Sequence, residues 1–227
     1  MAHVLRPFIF LDVFINIHTH HEIFDAKVEL VSFHVSEEAR ANVYSYGIHP
    51  WKIEGDKTDL LTRLNRVARN RRCIAVGECG LDKNCETDFK LQEEIFLEHV
   101  ILANEIDKPL VIHCVKAFNE LTACLRKAKN KVPVLIHGFN NNLNIAQTLL
   151  KEGYLLSFGK ALLSPESNAA EAIKHCGRNN FFLETDDADI SIKYIYKKAA
   201  EILSVDQEIL QQQLKSNYYR IFKEEIL

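Results

Sequence analysis

The sequence carries little net charge for its length. Its 227 residues include 28 lysines and arginines against 31 aspartates and glutamates, which leaves a formal charge of -3 at pH 7. A chain so nearly neutral has no broad positive field with which to attract a polyanion. This argues against a protein that coats DNA without regard to sequence. Any phosphate group must be bound by a local site, such as a bound cation.

Signals for disulfide bonds, export and membrane insertion are also missing. The six cysteines form no Cys-x-x-Cys pair, and several fall in apolar or helical segments, where small buried thiols are common. The apolar stretch from Phe8 to Ile15 is short, is interrupted by Asp12 and lacks a cleavage site of small residues. We therefore expect a cytoplasmic protein with reduced cysteines, no export signal and no membrane span.

Nothing in the sequence marks a second domain. It contains no internal repeat, no low-complexity tract and no linker rich in proline, glycine and serine. The composition, with 47% hydrophobic and 26% charged residues, is that of an ordinary globular domain able to bury a substantial core. The sequence predicts one domain over residues 1–227.

Strand-like and helix-like segments alternate along the chain. Candidate strands cover Phe14 to His18, Val28 to His34, Val43 to Ile48, Cys73 to Glu78, Pro109 to His113, Val132 to His137, Tyr154 to Gly159 and Phe181 to Thr185. Helical patterns cover Asp59 to Asn70, Asp88 to Ile106, Phe118 to Lys129, Leu143 to Glu152, Pro165 to His175, Ile192 to Leu203 and Asp206 to Glu225. Such alternation favours an α/β fold with a parallel sheet, and eight strands are enough to close a (β/α)8 TIM barrel.

The first third of the sequence departs from this alternation. Only Thr19 to Lys27 and Ser36 to Asn42 separate the first three candidate strands, less than the dozen or so residues that a helical crossover needs. The expected fold is a distorted (β/α)8 TIM barrel with abbreviated first two βα units. Further along, Ser164-Pro165 is a signal for the start of a helix.

Histidines and carboxylates recur where the candidate strands end. They follow the short apolar runs of FINIH, CIAVGE, PLVIH, VPVLIH and NFFLETD. The six residues are His18, His20, Glu78, His113, His137 and Asp186. Buried parallel strands read as continuous apolar runs, and their carboxyl ends present functional side chains at one mouth of a barrel. We therefore expect these six side chains to converge.

Taken singly, each of these residues has a plainer interpretation. His18 and His20 can reach one ion because alternate residues of a strand share a face, yet an isolated His-Thr-His is typical of a loop with surface histidines. Glu78 fits a buried salt bridge, and His113 or His137 fits a satisfied core histidine. It is improbable that all six residues occupy equivalent strand ends by chance, which favours a metal centre.

A centre of this composition suits hydrolysis. Two divalent ions, with Glu78 between them, match the number of donors, and the same donors take zinc, manganese, nickel or magnesium. Such ions lie ~3.5–4 Å apart, polarise a phosphoryl oxygen and lower the pKa of a bound water to about 7. Asp186 is the candidate general base, with the role of pure ligand or helix-capping acid as the alternative.

In order along the chain, INIHTH, YGIHPW, AVGECGLD, KPLVIHC, IHGF, FLETD and NYYRIF resemble the motifs of the TatD-like metal-dependent deoxyribonucleases of the amidohydrolase superfamily. The resemblance implies a distorted eight-stranded barrel with two divalent ions. One ion would be held by His18, His20 and Asp186 and the other by His113 and His137, with Glu78 between the ions. It also implies that the catalytic residues are Asp186, Glu78 and His49. His49 would contact the scissile phosphate, although a turn histidine fixed by Pro50 is the alternative.

The sequence departs from the family pattern around the expected mouth. Many relatives have an arginine two residues after the histidine of the KPLVIHC motif, where this chain has Val115, followed by Lys116. A lysine grips phosphate without the bidentate fork of arginine. Lys160, in SFGK, is a second candidate for substrate binding, with a solvated surface lysine as the alternative. ETDDAD also lacks the proline that follows this motif in the family.

Three functional hypotheses follow from these motifs. The first is a phosphodiesterase that acts on DNA ends, because a concave mouth accepts a strand terminus more easily than the middle of a duplex. The second is a phosphomonoesterase or C–N hydrolase on the same centre, against which GIHP and VGECGLD count. The third is a non-catalytic barrel that serves as a scaffold, which the complete ligand set disfavours. The expected partner is DNA or a smaller phosphoester, and the sequence gives evidence of neither a membrane nor a protein partner.

Overall fold

The computed structural model describes residues 13–22 and 24–224, in which eight parallel strands form one sheet. The strands are β1 (Ile15–Thr19), β2 (Val28–His34), β3 (Tyr44–Gly47), β4 (Cys73–Asp82), β5 (Leu110–Val115), β6 (Val134–Ile136), β7 (Leu155–Phe158) and β8 (Phe181–Leu183). They follow one another around the sheet in chain order. Most of the apolar stretch from Phe8 to Ile15 lies outside the described residues.

Helices cover the outside of the sheet from β3 onward. The helices are α1 (Lys57–Ala68), α2 (Phe89–Ile106), α3 (Phe118–Lys127), α4 (Leu143–Lys151), α5 (Asn168–Ala172), α6 (Ile192–Leu203) and α7 (Gln207–Phe222). Short 3-10 helices lie at Pro50–Lys52, Lys160–Leu163 and Ile173–His175. None of the helices in the described part of the chain combines the length and the apolar character that crossing a bilayer requires.

The sheet closes into a nearly complete barrel where β8 meets β1. Asp186 N–H donates to His18 O at 3.0 Å and His20 N–H donates to Asp186 O at 3.1 Å. Deeper in the seam, Thr185 N–H donates to the Asn16 side chain at 3.0 Å. The prediction of a distorted (β/α)8 barrel is thereby confirmed. So are its abbreviated first two units, because the described residues between β1 and β2 and between β2 and β3 contain no helix.

Two apolar layers hold the barrel together. The outer layer lies between the strands and the helices. The inner layer fills the barrel with one or two side chains from most strands, including Ile17, Leu30, Val111 and Phe182. Tyr218, Ile221 and Phe222 of α7 join that inner layer, so the last helix closes the amino-terminal end of the barrel. The functional mouth is consequently the opposite end.

Some boundaries differ from the sequence prediction for local reasons. Ser164-Pro165 was expected to start the fifth helix, but α5 begins at Asn168 because the Ser167 side chain accepts from Ala170 N–H and caps it. The helix predicted to reach Glu225 ends at Phe222, and Glu225 lies outside the described residues.

The fourth strand is longer than predicted. It continues past Glu78 to Asp82, which brings one more acidic side chain to the mouth.

Candidate metal centre

The six strand-end residues converge at the carboxyl ends of the strands. His113 lies within β5, His137 directly follows β6, and Asp186 follows β8 by three residues. In β5, β6 and β8 the inward-facing residues Val111, Leu135 and Phe182 lie two or four positions before these side chains. Simple alternation along the strand therefore points His113 and His137 into the mouth. Asp186 lies beyond β8 with a left-handed φ of 54°, and hydrogen bonds to His18 and His20 hold it beside β1.

His18 and Glu78 reach the mouth through β-bulges. In β1 two residues, Ile17 and His18, stand opposite the single residue Leu30 of β2. In β4 the extra residue lies between Val76 and Cys79, beside Glu78. Regular alternation would direct these two side chains at the outer layer of helices. A bulge turns them toward the inside of the barrel instead.

Glycine makes the second bulge possible. A Cβ atom at Gly77 would lie 2.2 Å from Val111 O, and one at Gly80 would lie 1.9 Å from His113 O. Both glycines also have positive φ angles, 143° and 144°, which residues with a side chain rarely adopt. The GECG segment therefore places Glu78 by bringing the backbone of β4 unusually close to β5.

Glu78 lies at the middle of the site, and each of its oxygens faces a different group of histidines. Its Oε1 lies 2.7 Å from His137 Nε2, 3.1 Å from His49 Nε2 and 3.2 Å from His113 Nδ1. Its Oε2 lies 3.3 Å from His20 Nε2. The carboxylate is buried, with 5% of the residue exposed.

Asp186 completes the group on the Oε2 side. Its Oδ1 lies 3.5 Å from the Nε2 atoms of both His18 and His20. His18, His20 and Asp186 present ligand atoms within 4.8 Å of one another, and so do His49, Glu78 and His113. Two further groups join His137 to His18 and Glu78, and to Glu184 and Asp186. Glu78 thus has donor groups on both sides, and His137 lies beside both.

The donor set fits divalent ions. His18 is fully buried, yet its Nε2 has no hydrogen-bond partner among the described residues and lies 3.6 Å from Glu78 Oε2. A buried polar atom left unpaired among carboxylates requires an explanation, which a shared cation supplies. Imidazole nitrogens and carboxylate oxygens are the usual ligands of zinc and related ions.

The charges of the site favour a cation as well. Burial raises the pKa of Glu78, but His137 and the hydrogen bonds from His113, His137 and His20 outweigh it and hold that pKa well below its usual value. Burial likewise opposes ionisation of Asp186, but His18 and His137 lower its pKa to about 2. Both carboxylates are therefore ionised at neutral pH. Burial lowers the pKa of His137, whereas Glu78 and Glu184 raise it well above the usual value, as expected where the local potential is negative.

Two carboxylates that the sequence analysis did not single out lie behind the histidines. Asp82 Oδ2 lies 3.2 Å from His113 Nε2, and Glu184 Oε1 lies 3.6 Å from His137 Nδ1. Each faces the ring nitrogen that is turned away from Glu78. Carboxylates in this position fix the ring orientation and strengthen the donor nitrogen. Both belong to motifs noted in the sequence, GLD and ETD, but their partners are distant in the chain.

Asp82→Asn is expected to lower the affinity for divalent ions by about 10–100-fold. The substitution keeps the shape of the side chain and removes the charge that orients His113. A metal titration against a chelating dye measures the effect. Asp189→Asn, at an exposed acid in the loop after β8, is the matched control. Wild-type affinity in Asp82→Asn would show that His113 needs no support from this carboxylate.

His49 is a turn histidine whose second ring nitrogen faces the site, and its contact with a phosphate stays a prediction. Its Nδ1 accepts from Trp51 N–H at 3.0 Å and so caps the Pro50–Lys52 turn. Its Nε2 faces Glu78 Oε1 inside the cavity. Burial lowers the pKa of His49, although Glu78 opposes the shift, and the ring is held neutral. The same side chain is both a turn histidine and a donor toward the site.

The two candidate lysines differ in their position relative to the cavity. Lys160 borders the mouth, where its Nζ lies 2.8 Å from Oδ1 of Asp187, a residue that lines the cavity. Lys116 is exposed and is not among the residues that line the cavity, so its contact with substrate stays a prediction. Lys52, which the sequence analysis did not single out, does line it. The cavity measures about 270 Å³.

A nearly closed (β/α)8 barrel that gathers histidines and carboxylates at the carboxyl ends of its strands is characteristic of metal-dependent hydrolases. Residues 12–223 match the family model described as TatD related DNase. The chain therefore belongs to the TatD family.

Curated relatives are named as metal-dependent hydrolases. An uncharacterized metal-dependent hydrolase of Buchnera aphidicola is 31% identical over 150 residues, which cover 65% of this chain and 56% of that relative. An uncharacterized metal-dependent hydrolase of Methanocaldococcus jannaschii is 26% identical over 195 residues, which cover 80% of this chain and 76% of the relative. The match thus spans little more than half of the Buchnera protein.

Solved structures share the fold. The crystal structure of YjjV, a TatD homolog from Escherichia coli, has a TM-score of 0.76 at 21% identity and covers 87% of this chain and 88% of that chain. A TatD family hydrolase from Entamoeba histolytica has a TM-score of 0.68 at 19% identity and covers 79% of this chain and 74% of that chain. At these identities the likeness shows the barrel and no more.

Proposed function

We propose that the chain is a two-metal phosphodiesterase that removes nucleotides from DNA ends. The observation that carries the proposal is the division of Glu78 between two histidine groups, because a carboxylate so placed can neutralise two neighbouring cations. A pair of cations suits displacement at phosphorus, where charge develops on both the attacking and the leaving oxygen. Membership of the TatD family supports metal-dependent hydrolysis, and the description of that family supports DNA as substrate.

The side chains of the site divide the work. Divalent ions bound there would supply positive charge to the phosphoryl group and lower the pKa of water. Asp186 is ionised and its side chain is partly exposed to the cavity, so it accepts the proton of the attacking water. His49 donates from Nε2 to a phosphate oxygen, because its Nδ1 already accepts from Trp51 N–H. Glu78 holds the two halves of the centre together.

The charge of the mouth supports a strand end over a duplex. Lys160 is paired with Asp187, and Lys52 lies 3.9 Å from Glu37 Oε1. Little unpaired positive charge therefore faces the cavity, and a long phosphate backbone would be held weakly. The same observation supports a small phosphoester as the second candidate substrate.

With divalent ions restored, the protein is expected to cleave bis-p-nitrophenyl phosphate and short single-stranded DNA, and to leave a dihydroorotate-like amide intact. The reason is that charge at this centre is arranged for attack at phosphorus. A panel that adds RNA and nucleotide monophosphates measures the preference, with protein stripped by a chelator as the control. Preference for the amide over every phosphoester would favour a C–N hydrolase. Preference for monophosphates would favour the smaller phosphoester.

A further inference from the structure

Trp51 presents an open aromatic surface beside the histidines of the cavity. Trp51 is 61% exposed and lines the cavity. Its Nε1–H donates to Asp82 Oδ2 at 2.6 Å. Its ring packs edge-to-face against His49 and His113, with centroids 5.1 and 5.7 Å apart. The indole is therefore held in place by the centre and is free to stack on its open side.

His34 contributes an unused hydrogen-bond donor to the same cavity. It ends β2, is only 8% exposed and lines the cavity. Its Nδ1 lies 2.8 Å from Ser36 Oγ and accepts from Ser36 N–H at 3.2 Å, which favours the tautomer with the proton on Nε2. Burial, aided by Lys52, lowers the pKa of His34 to about 4, which keeps the ring neutral. The buried Nε2 has no hydrogen-bond partner in the described structure.

The charges beside His34 cancel. Lys52 and Glu37 both line the cavity, and their Nζ and Oε1 atoms lie 3.9 Å apart. Oε2 of Glu37 also accepts from the backbone N–H of His34 at 2.6 Å. A neutral donor beside a balanced pair is poorly suited to phosphate. It suits a flat, uncharged ligand with polar atoms on its edge.

We propose that Trp51, His34 and the Lys52–Glu37 pair form a nucleobase subsite next to the metal centre. The base would stack on Trp51 and accept a hydrogen bond from His34 Nε2, while its phosphate reaches toward His49. Stacking on an aromatic side chain tolerates any base, which suits an enzyme that works along a strand. The position of the phosphate rests on the proposed function, whereas recognition of the base does not require cleavage.

Binding to this subsite has a direct optical readout. Trp51 is the single tryptophan of the chain, so emission excited at the red edge of the absorption band reports on it alone. Metal-loaded protein is titrated with thymidine 5′-monophosphate and with 2-deoxyribose 5-phosphate, which lacks only the base. We expect the nucleotide to quench the emission and to bind about tenfold more tightly than the sugar phosphate. Equal affinity for the two ligands would overturn the proposal, and this test on the wild-type protein does not depend on whether any variant folds.

Variants of His34 separate the subsite from the metal centre. His34→Leu is expected to weaken binding of the nucleotide about 5–10-fold and to leave binding of the sugar phosphate unchanged. His34→Gln retains an N–H donor and should recover part of the loss. His175→Leu, at an exposed histidine of the last 3-10 helix, is the matched control, and circular dichroism checks each fold. Equal weakening of both ligands in a folded His34→Leu would also contradict the subsite.

The two proposals can fail separately. In one outcome the protein binds the nucleotide more tightly than the sugar phosphate and still cleaves no phosphodiester. That result would contradict the proposed function and support the subsite. Cleavage of DNA by a protein that binds both ligands equally would remove only the subsite.

Discussion

Asp186→Asn is expected to lower turnover by roughly 10²–10⁴ and to leave bound metal almost unchanged. Asparagine keeps the size of the side chain and one oxygen that can contact an ion. It removes the carboxylate that accepts a proton from water. Asp186 suits that role because its side chain is 32% exposed at the cavity, whereas Glu78 is almost fully enclosed by histidines.

Turnover must be measured at saturating metal, with bound metal determined on the same samples. Asp189→Asn, in the same loop and exposed, controls for the loss of one negative charge near the mouth and should keep wild-type turnover. If Asp186→Asn also retained near-normal turnover, another group would have to accept the proton. His49 could do so only if its Nε2 accepted instead of donating, because its Nδ1 already accepts from Trp51 N–H.

Glu78→Gln is expected to abolish activity by a different route, the loss of at least one ion. Both oxygens of Glu78 face histidine donors, so its charge offsets the repulsion between two neighbouring dications. A neutral amide cannot do so, and its NH2 group would face a cation or a histidine nitrogen. Activity should fall to the level of chelator-treated protein, and metal analysis should show one ion per chain or none.

The control for this variant is Glu120→Gln, which removes a surface carboxylate paired with Lys83. It should retain both metal and activity. A Glu78→Gln protein that kept two ions and most of its turnover would contradict the bridging role assigned to Glu78.

The barrel and much of the site could be predicted because their signals are local. A buried parallel strand is an apolar run, and its end is marked by the first polar side chain. His113 and His137 fall on the inward face by simple alternation from Val111 and Leu135. Where the strand is regular, the sequence alone is enough to place the side chain.

Other parts of the site depend on contacts between distant residues. No local pattern reveals that β1 and β4 each contain an extra residue, so the inward turn of His18 and Glu78 follows from pairing with β2 and β5. Asp82 lies 31 positions from both of its side-chain partners, Trp51 and His113. Such a partnership is set by the closure of the barrel, which residue spacing does not encode.

His34 shows the opposite limit of the strand-end pattern. It ends the apolar run VELVSFH as His113 ends PLVIH, and it does point into the cavity. Its contacts are with Ser36 and Glu37 rather than with Glu78. The pattern therefore identifies side chains that reach the mouth and does not say which of them meet.

The metal content of the reconstituted protein tests the central claim most directly. Elemental analysis should find two divalent ions per chain, since six donors are too many for one tetrahedral ion. Anomalous scattering should place one ion among His18, His20 and Asp186 and the other between His113 and His137, with Glu78 contacting both. A protein that binds no metal after reconstitution, with His18, His113 and Asp186 pointing apart in its crystal structure, would contradict the account.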